Sequence, residues 1–198
     1  LALSKGIKTS AFEPVYTNLR ILYKNIKINN FDENIEVFPL ALSNKLEFKK
    51  IYGLSETASL MKGWMQENVS HEIVYCSTMD HILNASNFKD KQTLILIDVE
   101  GFEYEVIKGS SKTIQLYKPI FLIEIEQQHA PYVVVDIFLY FIQQKYFCYI
   151  YTLDGIFTQL NEEQFIKVTS NSIFKSSHSN NFFFIPKEKL NLLTLNND

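Results

Sequence analysis

The hydrophobic pattern of the chain is strongest at Leu94–Ile97, an unbroken apolar run that leads into the acids Asp98 and Glu100. A short apolar run without polar alternation is typical of a strand buried on both faces, as in a parallel sheet. If this strand continues to Glu100, the two acids are spaced by two residues and point to the same side. Ligands of open α/β sheets bind outside the carboxyl ends of the strands. This acidic strand end is therefore the first place where the sequence predicts chemistry.

The rest of the pattern alternates between strand and helix. Further strands are predicted at residues 7–12, 35–42, 46–51, 72–76, 120–126, 147–152 and 182–185. Helices are predicted at residues 14–29, 78–83, 104–116 and 133–146, with a polar-capped segment at 161–166. Gly109 argues against one unbroken helix over 104–116. The repeated βα units predict an α/β fold with a doubly wound, mainly parallel sheet.

The length of the chain, 198 residues, predicts one domain with a sizeable core. We place this domain at residues 1–186 and expect residues 187–198 to form a frayed polar tail. The first residues resemble the last turn of a helix, for which Gly6 is the C-cap. We therefore expect that the most N-terminal piece of the domain is missing from this chain.

Two other predicted strands also end in acids. Glu13 closes the strand at residues 7–12 and precedes Pro14, which fits the first turn of a helix. An acid at this place in nucleotide-binding folds accepts hydrogen bonds from both ribose hydroxyls. Glu124 lies near the end of the strand at residues 120–126, and His129 follows in the loop. The sequence thus predicts acids at several strand ends of one sheet.

Each of these residues also has a purely structural interpretation. Glu13 fits a helix start, where a carboxylate interacts with the helix dipole. Asp98 fits a cap of the next helix, with Glu100 and Glu103 in its solvated first turn. His129 fits an exposed loop histidine. The spacing alone leaves both interpretations open.

Composition narrows the possible partners. The net charge is −3 without a basic block, so we expect no nucleic-acid partner. Cys76 and Cys148 are isolated cysteines that predict neither a disulfide framework nor a zinc site, and they fit a reducing, cytoplasmic compartment. The most apolar helical stretch, residues 133–147, is interrupted by polar residues and is shorter than the roughly 20 apolar residues of a membrane span.

Several short motifs follow one another along the chain. The longest is Ile-Asp-Val-Glu-Gly-Phe-Glu at residues 97–103, and the shorter ones are Ala-Phe-Glu-Pro at 11–14, Ala-Leu-Ser at 41–43, Thr-Met-Asp at 78–80 and Lys-Pro-Ile at 118–120. In order and spacing, these motifs resemble those of the FkbM family of S-adenosylmethionine-dependent methyltransferases. The motif at residues 97–103 is the most specific of them, and this chain has Leu96 in place of the usual preceding Lys. The resemblance covers roughly residues 7–185.

The resemblance implies a Rossmann-like class I methyltransferase fold with an antiparallel last strand. It also implies S-adenosylmethionine as cofactor and O-methylation of a sugar or another small hydroxyl-bearing acceptor. The first strand of that fold and its glycine-rich cofactor loop are lacking here. That strand would lie between the strand ending in Glu13 and the strand ending in Asp98. A chain without it is expected to bind the cofactor poorly and to aggregate through open sheet edges.

The resemblance also implies roles for single residues. Glu13 would hold the ribose, Leu42 and Ser43 would lie near the adenine, and Asp98 would line the methyl-transfer end. The hydroxyl proton would be removed by a nearby base. The residues that could act as this base are Asp98, Glu100, Glu124 and His129. A divalent cation held by Asp98, Glu100 and Glu124 is the alternative.

Two other function classes stay open. One is a methyltransferase-like domain that has lost catalysis and acts as a binding or interaction module. The other is a nicotinamide-dependent oxidoreductase, because an acid at the end of the second strand also suits a dinucleotide. The acceptor and the oligomeric state are not predicted by the sequence.

Overall fold

The structure is a computed structural model that describes residues 2–53, 58–61, 70–83, 93–125, 133–152, 155–170 and 178–194. The strands are β1 (Thr9–Phe12), β2 (Ile35–Phe38), β3 (Ala41–Leu42), β4 (Glu47–Tyr52), β5 (His71–Ser77), β6 (Leu94–Ile97), β7 (Ile120–Glu124), β8 (Tyr146–Thr152), β9 (Phe157–Leu160) and β10 (His178–Pro186). The α-helices are α1 (Tyr16–Ile28), α2 (Met79–Leu83), α3 (Glu103–Lys108), α4 (Ser111–Tyr117), α5 (Val134–Gln143) and α6 (Glu162–Ser170). Short 3₁₀ helices cover Leu3–Lys5, which ends at the left-handed Gly6 as predicted, and Lys187–Thr194.

The described strands form three sheets of mixed direction, so the prediction of one mainly parallel sheet is not confirmed. The sheet orders are β1-β2, β3-β5-β4 and β6-β7-β10-β8-β9. Strand pairs β1–β2, β3–β5 and β6–β7 are parallel, whereas the β4–β5 and β8–β9 pairs are antiparallel. The α/β class itself and the antiparallel last strand are confirmed, because β10 lies antiparallel between β7 and β8.

The strand that leads into the acids is less enclosed than its composition predicts. Ile97 is buried, but Leu94 and Leu96 on the opposite face are 59% and 65% exposed. Among the described strands, β6 pairs only with β7, and β1 pairs only with β2. A further strand between β1 and β6 stays a prediction.

Two predicted elements are divided at residues that interrupt regular hydrogen bonding. The strand predicted at residues 35–42 becomes β2 and β3, which flank Pro39 and pair with β1 and β5 respectively. Proline has no backbone N–H to continue a ladder. The helix predicted at residues 104–116 becomes α3 and α4, which flank Gly109 and Ser110.

Aromatic residues fill the core of the largest sheet. Phe141 of α5 is fully buried and stacks on Phe184 of β10 with ring centroids 4.2 Å apart. It also meets Phe121 at 5.0 Å and Tyr146 at 5.2 Å. A second, smaller core joins the N-terminal half to the start of α3 and contains Val15, Ala41, Ile51, Leu60, Val74, Cys76 and Phe102.

The chain after residue 186 is more ordered than predicted. Its 3₁₀ helix is anchored by Lys189, whose Nζ donates to the carbonyl oxygen of Lys118 at 2.6 Å. The backbone N–H of Lys187 donates to the carbonyl oxygen of Lys145 at 3.0 Å. The expectation of a frayed tail is therefore wrong up to residue 194.

Across the described parts of the chain, no helix has both the length and the apolar character that crossing a membrane requires.

Candidate active site

The acidic strand end is a tight turn rather than a continued strand. Strand β6 stops at Ile97, and Glu100 and Gly101 both take left-handed backbone conformations, with φ of 51° and 90°. A left-handed conformation costs energy in a residue with a side chain, so Glu100 must be held by its surroundings. Asp98 and Glu100 therefore do not lie two apart on one strand, as the sequence pattern suggested. We call residues 98–103 the acidic turn.

Glu103 is part of this turn and is not a solvated residue. Only 7% of Glu103 is exposed, and its Oε1 accepts a hydrogen bond from the backbone N–H of Gly101 at 2.9 Å. Burial raises the pKa of Glu103 to about 6, against the opposing effect of backbone N–H donors that include those of Gly101 and Val99. The negative charge of Asp98 raises this pKa further. Glu103 therefore does have the structural role that the sequence allowed, but it supports the turn from a buried position and not from a solvated one.

A second support comes from a serine far away in the sequence. Ser59 is 1% exposed, and its Oγ donates to the carbonyl oxygen of Glu100 at 2.7 Å. The same Oγ accepts from the backbone N–H of Met61 at 3.1 Å. The sequence offered no sign of this role, because residues 59 and 100 are 41 positions apart.

Asp98 and Glu124 each follow the last paired residue at the carboxyl ends of two neighbouring strands. Ile97 of β6 pairs with Ile123 of the parallel strand β7, so the following residues are Asp98 and Glu124. Asn181 of β10 pairs with Glu124 from the other side. Asp98 is exposed, whereas Glu100 and Glu124 are half-buried. The strand pairing therefore brings Asn181 next to Glu124 and leaves Asp98 one residue beyond the last β6–β7 pair.

Glu13 performs the structural role that its position predicted. Its Oε1 accepts from the backbone N–H of Val15 at 2.7 Å, and its Oε2 accepts from Asn18 Nδ2 at 3.3 Å. These bonds satisfy a donor at the start of α1, where a carboxylate is favourable. Val15 and Phe102 belong to the same buried hydrophobic cluster, and Val99 packs against that cluster. The end of β1 and the acidic turn therefore meet at one small core.

Leu42 and Ser43 differ in their accessibility. Leu42 is half-buried and packs against the large aromatic core, whereas Ser43 is 1% exposed. Ser43 donates its backbone N–H to the carbonyl oxygen of Ser77 at 2.8 Å. The hydroxyls of Ser43 and Ser77 are buried without a hydrogen-bond partner in the described structure. Gly109 explains the enclosure, because a Cβ there would lie 1.9 Å from the carbonyl oxygen of Ser43.

Asp80, in the motif Thr-Met-Asp, joins α2 to α4. Its carboxylate accepts from the backbone N–H groups of Lys112 at 2.9 Å and Thr113 at 2.8 Å. The N–H of His81 is bonded by Thr78 Oγ1 at 3.1 Å. Thr78 therefore caps α2, whereas Asp80 caps α4, the second helix after the acidic turn.

The remaining predicted site residue, His129, lies outside the described residues, so its role stays a prediction. Asp98, Glu100 and Glu124 are all described. Within the part of the chain that the structure describes, no three His, Cys, Asp or Glu side chains are grouped so that they could hold a metal ion.

These features define an α/β domain with acids at the carboxyl ends of its strands and a supported acidic turn. The family model of the methyltransferase FkbM domain matches residues 3–148. The chain therefore belongs to the FkbM methyltransferase domain family, as its motifs predicted.

One solved structure is similar in fold. It is the methyltransferase FkbM from Methylobacillus flagellatus KT, with a TM-score of 0.52 and 16% identity over 89% of this chain. The match covers 36% of that protein, so this chain spans about a third of its length. No curated protein matches the chain.

Proposed function

We propose that this chain is the catalytic part of an S-adenosylmethionine-dependent O-methyltransferase that acts on a sugar or another small hydroxyl-bearing acceptor. The observation that carries the proposal is the convergence of two acidic strand ends on one small core, in a chain of the FkbM methyltransferase family. Val15 follows Glu13, and Phe102 belongs to the acidic turn, and both are buried in that core.

The residues present fit the cofactor chemically. S-adenosylmethionine is a cation with a ribose diol, so it needs hydrogen-bond acceptors and negative charge. Each oxygen of the Glu13 carboxylate accepts one bond from the protein and can accept another, which leaves capacity for both ribose hydroxyls. Leu42 offers half-buried apolar surface for the adenine, while Ser43, which is enclosed, supports the segment that carries Leu42. Asp98 offers exposed negative charge for the cation.

The chemistry that remains for the protein is the removal of a proton. The bound cofactor supplies an electrophilic methyl group, and the acceptor hydroxyl becomes a better nucleophile if its proton leaves during attack. Asp98 and Glu124 each follow the last β6–β7 backbone pair, and Glu100 follows in the acidic turn, so these three acids are the candidates to accept this proton. His129 remains a further possibility for the base. A divalent cation held by Asp98, Glu100 and Glu124 is the alternative route, and the experiment on these acids separates the two.

A cytoplasmic site of action stays part of the proposal. Cys76 and Cys148 are free thiols, and both are fully buried. Free cysteines are compatible with a reducing compartment.

The role of Glu13 is tested by calorimetric titration of the whole protein with S-adenosylmethionine. Glu13→Ala is expected to weaken binding by about 2–4 kcal/mol, since a double charge-assisted contact is lost. Glu13→Gln keeps an oxygen that accepts from the N–H of Val15 but loses the negative charge. A loss of affinity in this variant is therefore due to ligand binding and not to a lost helix cap. Glu36→Ala, at an exposed acid on the neighbouring strand β2, is the matched control. Unchanged affinity in a folded Glu13→Ala protein would reject the role.

The acids of the reaction are tested by release of S-adenosylhomocysteine in the presence of a panel of sugars. Asp98→Asn and Glu124→Gln are each expected to lower turnover about a hundredfold or more, with the thermal midpoint shifted by only a few degrees. Titration with magnesium and addition of a chelator distinguish the metal-free route from the cation route. Tight cofactor binding without turnover on any acceptor would favour the alternative, a catalytically inactive binding module.

A further inference from the structure

The peptide bond of the acidic turn that joins Glu100 to Gly101 is held by side chains at both of its polar groups. Both flanking residues are left-handed, with φ of 51° and 90°. The carbonyl oxygen of this peptide accepts from Ser59 Oγ at 2.7 Å, and its N–H donates to Glu103 Oε1 at 2.9 Å. The two polar groups of a trans peptide point in opposite directions. Ser59 and Glu103 therefore hold the same peptide from opposite sides.

Both supporting side chains are buried, so neither bond competes freely with water. Ser59 is 1% exposed and Glu103 is 7% exposed. Rotation of the peptide plane would break both hydrogen bonds at once and leave buried polar groups without partners. Such groups are costly, and this cost opposes the strain of a left-handed Glu100.

Ser59 is itself fixed to the rest of the fold. Its backbone exchanges two hydrogen bonds with Tyr52 at the end of β4, at 2.8 and 2.9 Å. Its neighbour Leu60 is 8% exposed and belongs to the same small core as Phe102 of the acidic turn. The support for the acidic turn thus comes from the β4–β5 sheet as well as from α3.

We infer that Ser59 and Glu103 are positioning residues that hold the Glu100–Gly101 peptide and so direct the acidic turn toward the reacting groups. The inference rests on the proposed function for its consequence in ligand binding, but the peptide contact itself is testable without any ligand. Asp98 and Glu100 are carried by this turn, so its conformation decides where their carboxylates lie. Neither Ser59 nor Glu103 needs to touch the substrate.

The direct test is the exchange rate of the Gly101 amide, measured by NMR in the whole protein. Ser59→Ala and Glu103→Ala are each expected to accelerate this exchange by about tenfold or more, because the peptide loses one of its two fixed partners. Glu103→Gln retains a carbonyl acceptor and is expected to restore most of the protection.

Ser110→Ala is the matched control, because Ser110 is a buried serine whose Oγ donates to a backbone carbonyl, that of Val106, at the same distance of 2.7 Å. It is expected to lower the thermal midpoint without changing Gly101 exchange. Equal acceleration in Ser110→Ala, or unchanged exchange in Ser59→Ala and Glu103→Ala, would overturn the inference.

The second readout is the affinity for S-adenosylmethionine in the same variants. Ser59→Ala and Glu103→Ala are expected to weaken binding about fivefold or more, and Glu103→Gln less. If exchange accelerates and affinity is unchanged, the residues are merely structural and the positioning role is rejected. If the unmodified protein shows no affinity, the proposed function fails, and the exchange rates decide whether the two residues hold the peptide.

Discussion

Helices α5 and α1 differ strongly in how much of their surface is buried. In α5, which covers the large sheet, Val134, Ile137, Phe138 and Phe141 are all buried. All thirteen residues of α1 are described, and only Ile26 is buried there, while Tyr16, Ile21 and Ile28 are more than half exposed. Burial of apolar surface is the main source of stability. Among the described elements, we therefore expect the sheet around β7, β8 and β10 to be more stable, and the pair β1–β2 with α1 to open locally more readily.

This difference matters for function because the proposed ribose ligand, Glu13, lies on the less buried side. The acidic turn lies at the boundary, with Val99 packing against both hydrophobic cores. Ligand-binding segments are commonly found in the less stable parts of a fold. The contrast leads to four predictions, from the largest expected effect to the smallest.

Removal of the central aromatic side chain should have the largest effect on stability. Phe141→Ala is expected to lower the free energy of unfolding by about 3–5 kcal/mol, because it deletes a fully buried ring that stacks on Phe184. Denaturant titration measures this loss. Leu139→Ala changes a residue of the same helix that is 37% exposed and is the control. It is expected to lower the free energy of unfolding far less. Equal losses in the two variants would mean that this sheet is not the stable core.

Gly109→Ala tests the close contact between the α3–α4 junction and the residue that follows β3. The φ of Gly109 is −73°, which an alanine adopts without strain, so any loss comes from the contact with Ser43. Overpacking against backbone is expected to cost about 3 kcal/mol and to displace the segment that carries Leu42. Calorimetric unfolding measures the loss. Gly155→Ala, where the nearest atom lies 3.5 Å away and only the positive φ opposes alanine, is a useful comparison. A Gly109→Ala protein as stable as the parent would show that the contact is easily relieved.

The pH dependence of stability tests the burial of Glu103. Its pKa is about 6 in the folded protein and 4.5 ordinarily, so the folded state binds the proton more tightly. Stability from this group is therefore fully present below pH 4.5 and is lost as the pH rises to about 6, a change of about 2 kcal/mol. Glu103→Gln should remove this component from a series of unfolding curves measured between pH 4 and 8. The same slope in both proteins would contradict the assignment.

A substitution on the exposed face of α1 should change the free energy of unfolding least. Tyr23 is 49% exposed, so Tyr23→Ser is expected to change the free energy of unfolding by no more than about 0.5 kcal/mol. Ile26→Ala on the buried side of the same helix should cost clearly more, and the two together measure how far α1 depends on its single buried residue. A loss above about 1.5 kcal/mol for Tyr23→Ser would show that this face is covered in solution, and the contrast between α5 and α1 would then be wrong.

Local pattern was sufficient for most of the elements. The helix after Glu13, the strand at Leu94–Ile97, the break at Gly109 and the cap at Gly6 follow from periodicity, proline and glycine, which act over a few residues. The family motifs could also be identified from the sequence, since each is a short contiguous segment. Local pattern did not locate the strand ends. The prediction that Asp98 and Glu100 share one strand is wrong, because β6 ends at Ile97 and Glu100 has a left-handed backbone.

Tertiary structure alone decided how these elements meet. The division into three sheets depends on which strands pair, and strand pairing joins residues that are distant in the chain. Ser59 bonds to Glu100, and Asp80 caps α4, across separations of 41 and more than 30 residues. Burial likewise converts Glu103 from a residue that the sequence assigns to solvent into an internal support. Only the packing of the whole fold removes its carboxylate from water, and this removal raises its pKa. The sequence by itself thus determined the family, the elements and the acids, whereas the geometry that supports the acids arises only when distant segments pack together.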